Sequence, residues 1–287
     1  MIIKFFKLQF YFLTFERFPN LFRPSSRPYI SGDTFRNISD HIFDESSTFI
    51  PEKVNRNDVV FVMTDLINIY FKIHHPRITE KYILITHNSD LNVDDFIDRY
   101  MDSKIIHWFS QNLSSNTSKA TLLPKGIENL RYLKYGRKKW FKSSQKSKVN
   151  KILCSFNLYT NYQYRSNVQR IFNANEIVDI SYFQTPEEYF CNLSKYKFNI
   201  CPPGKGEDTS RIWESLLLNV FPVFELNSFT KQFMQMGIPG IYLDKWEDLL
   251  NFDETKLQNE YEKLINVNYE HFTLLKYWEN IITSKKI

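Results

Sequence analysis

Alanine and glycine are scarce in this sequence. Alanine occurs only at Ala120 and Ala174, and glycine 7 times in 287 residues. Lys, Asn, Ile, Phe and Tyr take their place, the set that AT-rich codons specify, so the 17% aromatic content is not by itself a binding signal. Cysteine is also rare. Cys154, Cys191 and Cys201 are odd in number and lack metal-ligand spacing, which excludes a disulfide framework and a cysteine zinc site. No uninterrupted apolar run approaches the roughly 20 residues of a membrane span. Lys4 and Lys7 break the aromatic N-terminus, and its apolar part from Leu8 to Phe15 is short for a signal-peptide core. Residues 1–18 read as a structured first segment, with membrane association as the alternative. The formal net charge of +5 does not demand a nucleic-acid partner. Asn-x-Ser matches at Asn37, Asn112, Asn116 and Asn192 are what an Asn- and Ser-rich chain produces by chance.

Hydrophobic residues at 43% and charged residues at 24% mark a globular chain and exclude a wholly disordered one. The length suits two domains or one large one. Short apolar runs alternate with helical stretches. The runs predict strands over 58–63, 81–86, 104–109 and 121–123, then over 151–156, 177–180, 198–201, 221–224 and 240–243. Helices are predicted over 65–73, 93–101, 162–172, 186–193, 209–218 and 228–236, and residues from 254 onward are mostly helical in composition. This alternation predicts parallel sheets flanked by helices. Near-continuous runs such as VVFVM and YILIT suit strands buried on both faces.

A polar, basic stretch over 131–151 divides the chain. The expected organisation is a first α/β domain over 1–135, a linker over 136–150, and a second α/β domain over 151–287 that carries the terminal helices. Two such domains form a cleft, and ligands of open parallel sheets sit beyond the carboxyl ends of the strands. Residues just after each strand are therefore the place to look for chemistry.

The segment FNICPPGKGEDTSRIWESLLLNVFPVF, 198–224, is the most informative. It reads as strand, loop, helix and strand. Gly204 and Gly206 open the loop, and Asp208, Thr209 or Ser210 can cap the helix. Ile212, Leu216 and Val220 share its apolar face, and Asn219 suits a left-handed position at its end. The helix N-terminus then faces the cleft, where free N–H groups and the positive dipole end attract anions, diphosphates above all. Arg211 adds a bidentate phosphate contact. Glu214, three residues on, shares its face and suits the hydroxyls of a ribose. Lys205 adds charge on the loop. From spacing alone, Arg211 and Glu214 equally fit an exposed intrahelical ion pair. Gly204-Lys205-Gly206 is neither a Walker loop nor a Gly-x-Gly-x-x-Gly fingerprint.

With Phe198, Cys201, Pro202, Gly204, Asp208, Arg211, Trp213, Glu214, Leu216, Pro222 and Val223 in place, the segment resembles the exostosin-like glycosyltransferases, glycosyltransferase family 47 and its relatives, viral and protist members included. Pro203 stands where that family usually has Arg, and Asn219 where it usually has Gly. The passages HWFSQNL (107–113), LLPKGIEN (122–129) and KILCSFNLYTNYQYR (151–165) are similar to further stretches of such enzymes, so the resemblance spans residues 80–225. It implies a GT-B-like fold, two Rossmann-like domains with parallel sheets facing a central cleft and a C-terminal helical segment. It implies a nucleotide diphosphate sugar as donor substrate on the second domain, a glycan or glycoprotein acceptor toward the first, and transfer of a hexosyl or pentosyl group. Arg211 would meet the diphosphate, Glu214 the ribose, and Gly204, Lys205, Gly206, Ser210 and Arg165 would complete the donor site. No bound cofactor and no metal are expected. A fucosyltransferase-like enzyme of the same fold is the close competitor.

His87 and Asp90, after the strand YILIT, are the candidates for a general base on the acceptor hydroxyl. Asn88, Ser89 and Asp90 also read as an ordinary turn that caps the next segment, and Asp65 after VVFVM is similarly placed. His74 and His75 precede Pro76 and read as a helix end rather than a metal site. The basic stretch reads as a solvated inter-domain loop. The functional alternative is a polyanion-binding protein, an inactive relative or a nucleic-acid module, working through Lys138, Lys139 and Lys142. A cytoplasmic enzyme is the expected setting, with a Golgi or membrane-associated one as the alternative.

Overall fold

A computed structural model describes residues 23–115, 117–142 and 147–287. The expected N-terminal segment 1–18, the Asn116 acceptor match and Lys146 of the basic stretch lie outside the described residues.

Two parallel five-stranded sheets organise the chain. The first holds β1 (His41–Phe43), β2 (Val59–Met63), β3 (Tyr82–His87), β4 (Ile105–Ser110) and β5 (Ala120–Leu122) in sequential order. The second holds β6 (Val149–Cys154), β7 (Val178–Ile180), β8 (Tyr196–Ile200), β9 (Phe221–Glu225) and β10 (Ile241–Leu243) in the order β10-β9-β8-β6-β7. VVFVM and YILITH are buried almost throughout. Side chains alternate between the two faces of a strand, so continuous burial requires cover on both. In the second sheet the chain goes from β6 to β7 on one side and then to β8 on the other. The reversal leaves a crevice at the carboxyl ends of β6 and β8, a topological switch point.

Helices α1 (Gly32–Asn37), α2 (Asp94–Tyr100), α3 (Tyr162–Ile171), α4 (Pro186–Leu193), α5 (Ser210–Leu217), α6 (Ser228–Met236), α7 (Glu254–Leu264) and α8 (Leu275–Thr283) surround these sheets. Local chemistry sets their ends. Thr185 and Glu188 form a reciprocal capping box at the start of α4, where Pro186 needs no partner for its missing N–H. Asn219, at φ +56°, ends α5 in the left-handed region. Its N–H donates to Leu216 O, and the Val220 N–H donates to Ser215 O, which closes the last turn.

The predicted helix over 65–73 is instead a run of short 3₁₀, α and π turns from Thr64 to Arg77. Ile67, Ile69 and Ile73 are β-branched and crowd the preceding turn, and Pro76 ends the run. Strand β1 and helix α1 escaped prediction, because three and six residues are too few to show a period.

Two further expectations are corrected. The terminal helices do not all belong to the second unit. Ile30 N–H donates to Thr273 O, Leu275 N–H donates to Pro28 O, and Asn57 Nδ2 donates to Ile287 O, so the end of the chain returns to the first unit. An apolar helix face signals burial without naming the surface that buries it. The basic stretch is also not a plain solvated loop. Phe141 is buried and its ring lies 5.2 Å from that of Phe190, on which Trp140 stacks at 5.7 Å. The aromatics dock on α4, while Lys138, Lys139 and Lys142 stay exposed. Lys148 Nζ donates to Ser194 O and Leu218 O, and burial pushes its pKa down to about 8.

The chain thus forms two Rossmann-like α/β units, as expected, with the carboxyl ends of both sheets around one cleft.

Candidate functional site

The cleft has a volume of about 1260 Å³, larger than the roughly 300–1000 Å³ of a typical small-molecule site. Residues that follow the strands line it: Asp65 after β2, His87–Asp90 from the end of β3, Gln111 after β4, Lys125 and Glu128 after β5, Ser155–Thr160 after β6, Tyr182–Gln184 after β7, and Gly204–Gly206 after β8. His87, Asp90, Arg165, Gly204, Lys205, Gly206, Ser210, Arg211 and Glu214 all belong to this one lining. Their environments differ.

Helix α5 opens into the cleft at the switch point. Its N-cap, Thr209, makes no side-chain capping bond, and its first turn holds no acidic residue. The Thr209 hydroxyl is buried without a hydrogen-bond partner among the described residues. The Asp208 carboxyl takes the Thr209 N–H just ahead of the helix, and within the first turn itself no acidic side chain competes for the positive end.

Arg211 and Glu214 are not an exposed surface ion pair. Arg211 Nε donates to Ser155 O at 2.8 Å, which turns the guanidinium back toward the end of β6. Glu214 is 5% exposed. Burial pushes its carboxyl up to about 8; the Arg211 charge works against that shift, and Glu128 reinforces it. Below that pH the carboxyl keeps its proton and can donate as well as accept.

Arg165 is committed to the protein. Its Nε donates to Pro203 O at 2.8 Å, Nη1 to Asn157 O at 2.8 Å and Thr160 Oγ1 at 2.6 Å, and Nη2 to Pro202 O at 3.0 Å. It staples the loop after β6 to the loop after β8. Burial and the charge of Arg211 lower its pKa to about 10. Both guanidiniums flank Phe156, with Cζ 5.4 Å (Arg165) and 5.8 Å (Arg211) from the ring centroid. Four of the five N–H donors of Arg165 are thus engaged by the protein, which gives it a positioning role and leaves one Nη2–H toward a phosphate.

Gly206 is required by the opposite unit. A Cβ there would lie 2.8 Å from Asn112 Nδ2 and 3.1 Å from Asp90 O. Gly204 packs on Arg165, and its N–H donates to Gly206 O at 2.9 Å. Lys205 and Ser210 complete this wall.

On the first unit His87 is 1% exposed. Its ring Nε2 lies 3.1 Å from Pro124 O, and Nδ1 accepts from its neighbour Asn88 N–H at 2.7 Å. Burial pushes its pKa down to about 4. With both nitrogens occupied the ring cannot take a proton from a substrate, so the expected base role does not fit it. Asp90 carries an accessible carboxylate, 3.0 Å from Lys125 Nζ.

Asp208 ties the walls together. It is fully buried, accepts from Lys125 N–H at 2.6 Å and from Trp213 Nε1–H at 2.8 Å, and donates its own N–H to Asn112 Oδ1 at 3.1 Å. Burial pushes its carboxyl up to about 7. In the sequence Asp208 reads only as a cap and motif residue, and no local pattern marks Gln111, Asn112, Lys125 or Glu128 as site residues. The rule that selected His87 and Asp90, to look just past each strand, also reaches the residues after β4 and β5. Among the described residues no cluster of His, Cys, Asp and Glu could hold a metal ion, and no helix is long and apolar enough to cross a membrane.

No family model matches the sequence, and no curated protein matches it. Among solved structures the chain is similar to TarM, with a TM-score of 0.43 and 12% identity over 78% of this chain and 54% of TarM. It is also similar to UGT89C1 of Arabidopsis thaliana, solved with quercetin, with a TM-score of 0.29 and 10% identity over 80% of this chain and 67% of that one. The chain spans about half the length of TarM.

Proposed function

We propose that the chain is a glycosyltransferase that moves a hexosyl or pentosyl group from a nucleotide diphosphate sugar to a hydroxyl of a glycan or glycoprotein. One observation carries this reading. The side-chain-uncapped N-terminus of α5 opens at the switch point, with Arg211 in its first turn and the buried Glu214 one turn later. An anion carrier with hydroxyls close to its charge matches that arrangement, as a nucleoside diphosphate does. The exostosin-like pattern of the same residues points the same way.

In the transfer, the acceptor oxygen bonds to the anomeric carbon and the bond from that carbon to the phosphate oxygen breaks. The electron pair leaves with the diphosphate, and the acceptor proton passes to a base. Arg211 and the helix dipole stabilise the leaving diphosphate in place. Glu214 holds the ribose. Arg165 fixes the loop that carries Gly204 and Lys205, and Lys205 adds charge at the rim. Asp90 and Asp65 are acceptor-side groups with accessible carboxylates, and Asp90, just past the end of β3, takes the place of His87 as the candidate base. The cleft brings the two substrates together, which removes most of the entropic cost of their encounter.

A thermal-shift series with UDP, GDP, CMP and their sugar conjugates tests the reading, because a ligand that binds the folded state raises Tm by mass action. One nucleotide should stabilise the protein, and Arg211→Ala and Glu214→Ala should each abolish the shift. No shift with any nucleotide, together with salt-sensitive polyanion binding lost on mutation of Lys138, Lys139 and Lys142, would replace it with the polyanion-binding reading.

A further inference from the structure

Gln111 is the first residue past β4. Its N–H donates to Thr86 O at 3.0 Å, and its carbonyl accepts from the Ser110 hydroxyl at 2.9 Å, so its backbone is firmly held. The residue lines the cleft yet is only 2% exposed. Its Oε1 and Nε2 are both buried, and neither has a hydrogen-bond partner among the described residues. Buried amides are normally satisfied, because each unpaired group carries a desolvation cost. Here the neighbouring polar side chains are already engaged. Asn112 uses its amide on Ser89 O and the Asp208 N–H. The hydroxyls of Thr86 and Ser110 bond one another, and the Trp108 indole donates to that of Thr86.

We propose that Gln111 is a binding residue of the cleft that recognises paired hydroxyls of a sugar ring. A carboxamide offers a donor and an acceptor side by side. Vicinal hydroxyls, each able to donate and accept, complete both. A phosphate offers acceptors alone and would leave Oε1 against another oxygen. A cation would satisfy Oε1 and repel Nε2. β4 lies between β3 and β5, so Gln111 stands between the loop of Asp90 and the loop of Lys125. That places it on the first unit, apart from the donor-side Arg211 and Glu214 on α5. The assignment rests on the proposed glycosyl transfer for the nature of the ligand. The ring is either the glycosyl group of the donor or a residue of the acceptor.

Gln111→Leu, close to the native side chain in shape, separates the outcomes. The probes are UDP and GDP, their glucose, N-acetylglucosamine, mannose and fucose conjugates, and free cellotriose and maltotriose. The variant should melt at or above the wild-type temperature, because an unsatisfied amide has been removed. Affinity for the bare nucleoside diphosphate should stay within about twofold, while affinity for a sugar conjugate or a free saccharide should fall about tenfold. Loss for the conjugate alone identifies the donor sugar, and loss for the saccharide alone identifies the acceptor. A lower melting temperature with unchanged ligand affinities would make the amide structural and overturn the proposal. Equal weakening of the bare diphosphate and its conjugate would overturn it too, as would a wild type that binds no conjugate and no saccharide. Arg211→Ala tests the diphosphate site separately, so failure of the donor reading leaves Gln111 to be judged on saccharides alone.

Discussion

Asp208, on the loop after β8, accepts a hydrogen bond from the backbone N–H of Lys125, after β5, at 2.6 Å. One carboxylate thus joins the two units at the floor of the cleft, and its second oxygen holds the indole of Trp213 in α5. Asp208→Ala leaves both donors buried without acceptors. The expected loss is about 1–3 kcal/mol for each, read as a lower Tm, and faster proteolysis at the loosened loop should accompany it.

Arg165 and Arg211 should separate in mutagenesis. A single ammonium cannot span the acceptors that Arg165 holds. Arg165→Lys should lower stability by about 2–3 kcal/mol, since hydrogen bonds from charged groups are worth about that much. Arg211→Lys should lower Tm less than Arg165→Lys does, since it gives up a single such bond, to Ser155 O, and it should weaken the nucleotide. Chemical denaturation alongside nucleotide titration of both variants checks the contrast, and a reversed pattern would contradict the assignment.

Nucleoside diphosphate affinity should depend on the ionisation of Glu214. Its folded pKa, about 8, lies above the unfolded value. The stability linked to this raised value is therefore full in acid and lost as pH rises through about 8. Ionisation also places a negative charge beside the anion site, so affinity should fall several-fold between pH 7 and pH 9. Calorimetric titrations across that range should show the fall, and Glu214→Gln should flatten it.

His87 gives the opposite sign. Its folded pKa, about 4, lies below the ordinary 6.5. Its stabilising contribution is complete above pH 6.5 and is lost as pH falls toward 4. The fall in Tm from pH 7 to pH 5 should be smaller in His87→Gln than in the wild type.

The sequence showed the sheets more clearly than the connections between them. VVFVM, YILIT and FPVF are continuous apolar runs, and each became a buried strand within a residue or two of expectation. The segment 64–77 has the apolar content of a helix, but its β-branched and aromatic side chains and Pro76 divide it into short turns. On the site, Arg211 and Glu214 were legible because a strand, a loop and a helix start stand next to each other in the chain. The clamp through Asp208 and the occupied ring of His87 depend on residues 37 to 96 positions apart. One-dimensional spacing carries no record of such partners.

The central claim is that this cleft holds a nucleotide diphosphate sugar by Arg211 and the N-terminus of α5. The most direct measurement is release of nucleoside diphosphate from sugar conjugates by the purified protein, with and without glycan acceptors. The account predicts release from one conjugate, accelerated by an acceptor and reduced at least about a hundredfold in Arg211→Ala, as for loss of a group that stabilises the transition-state charge. Absence of release from every conjugate, or release equal in the wild type and Arg211→Ala, would contradict it.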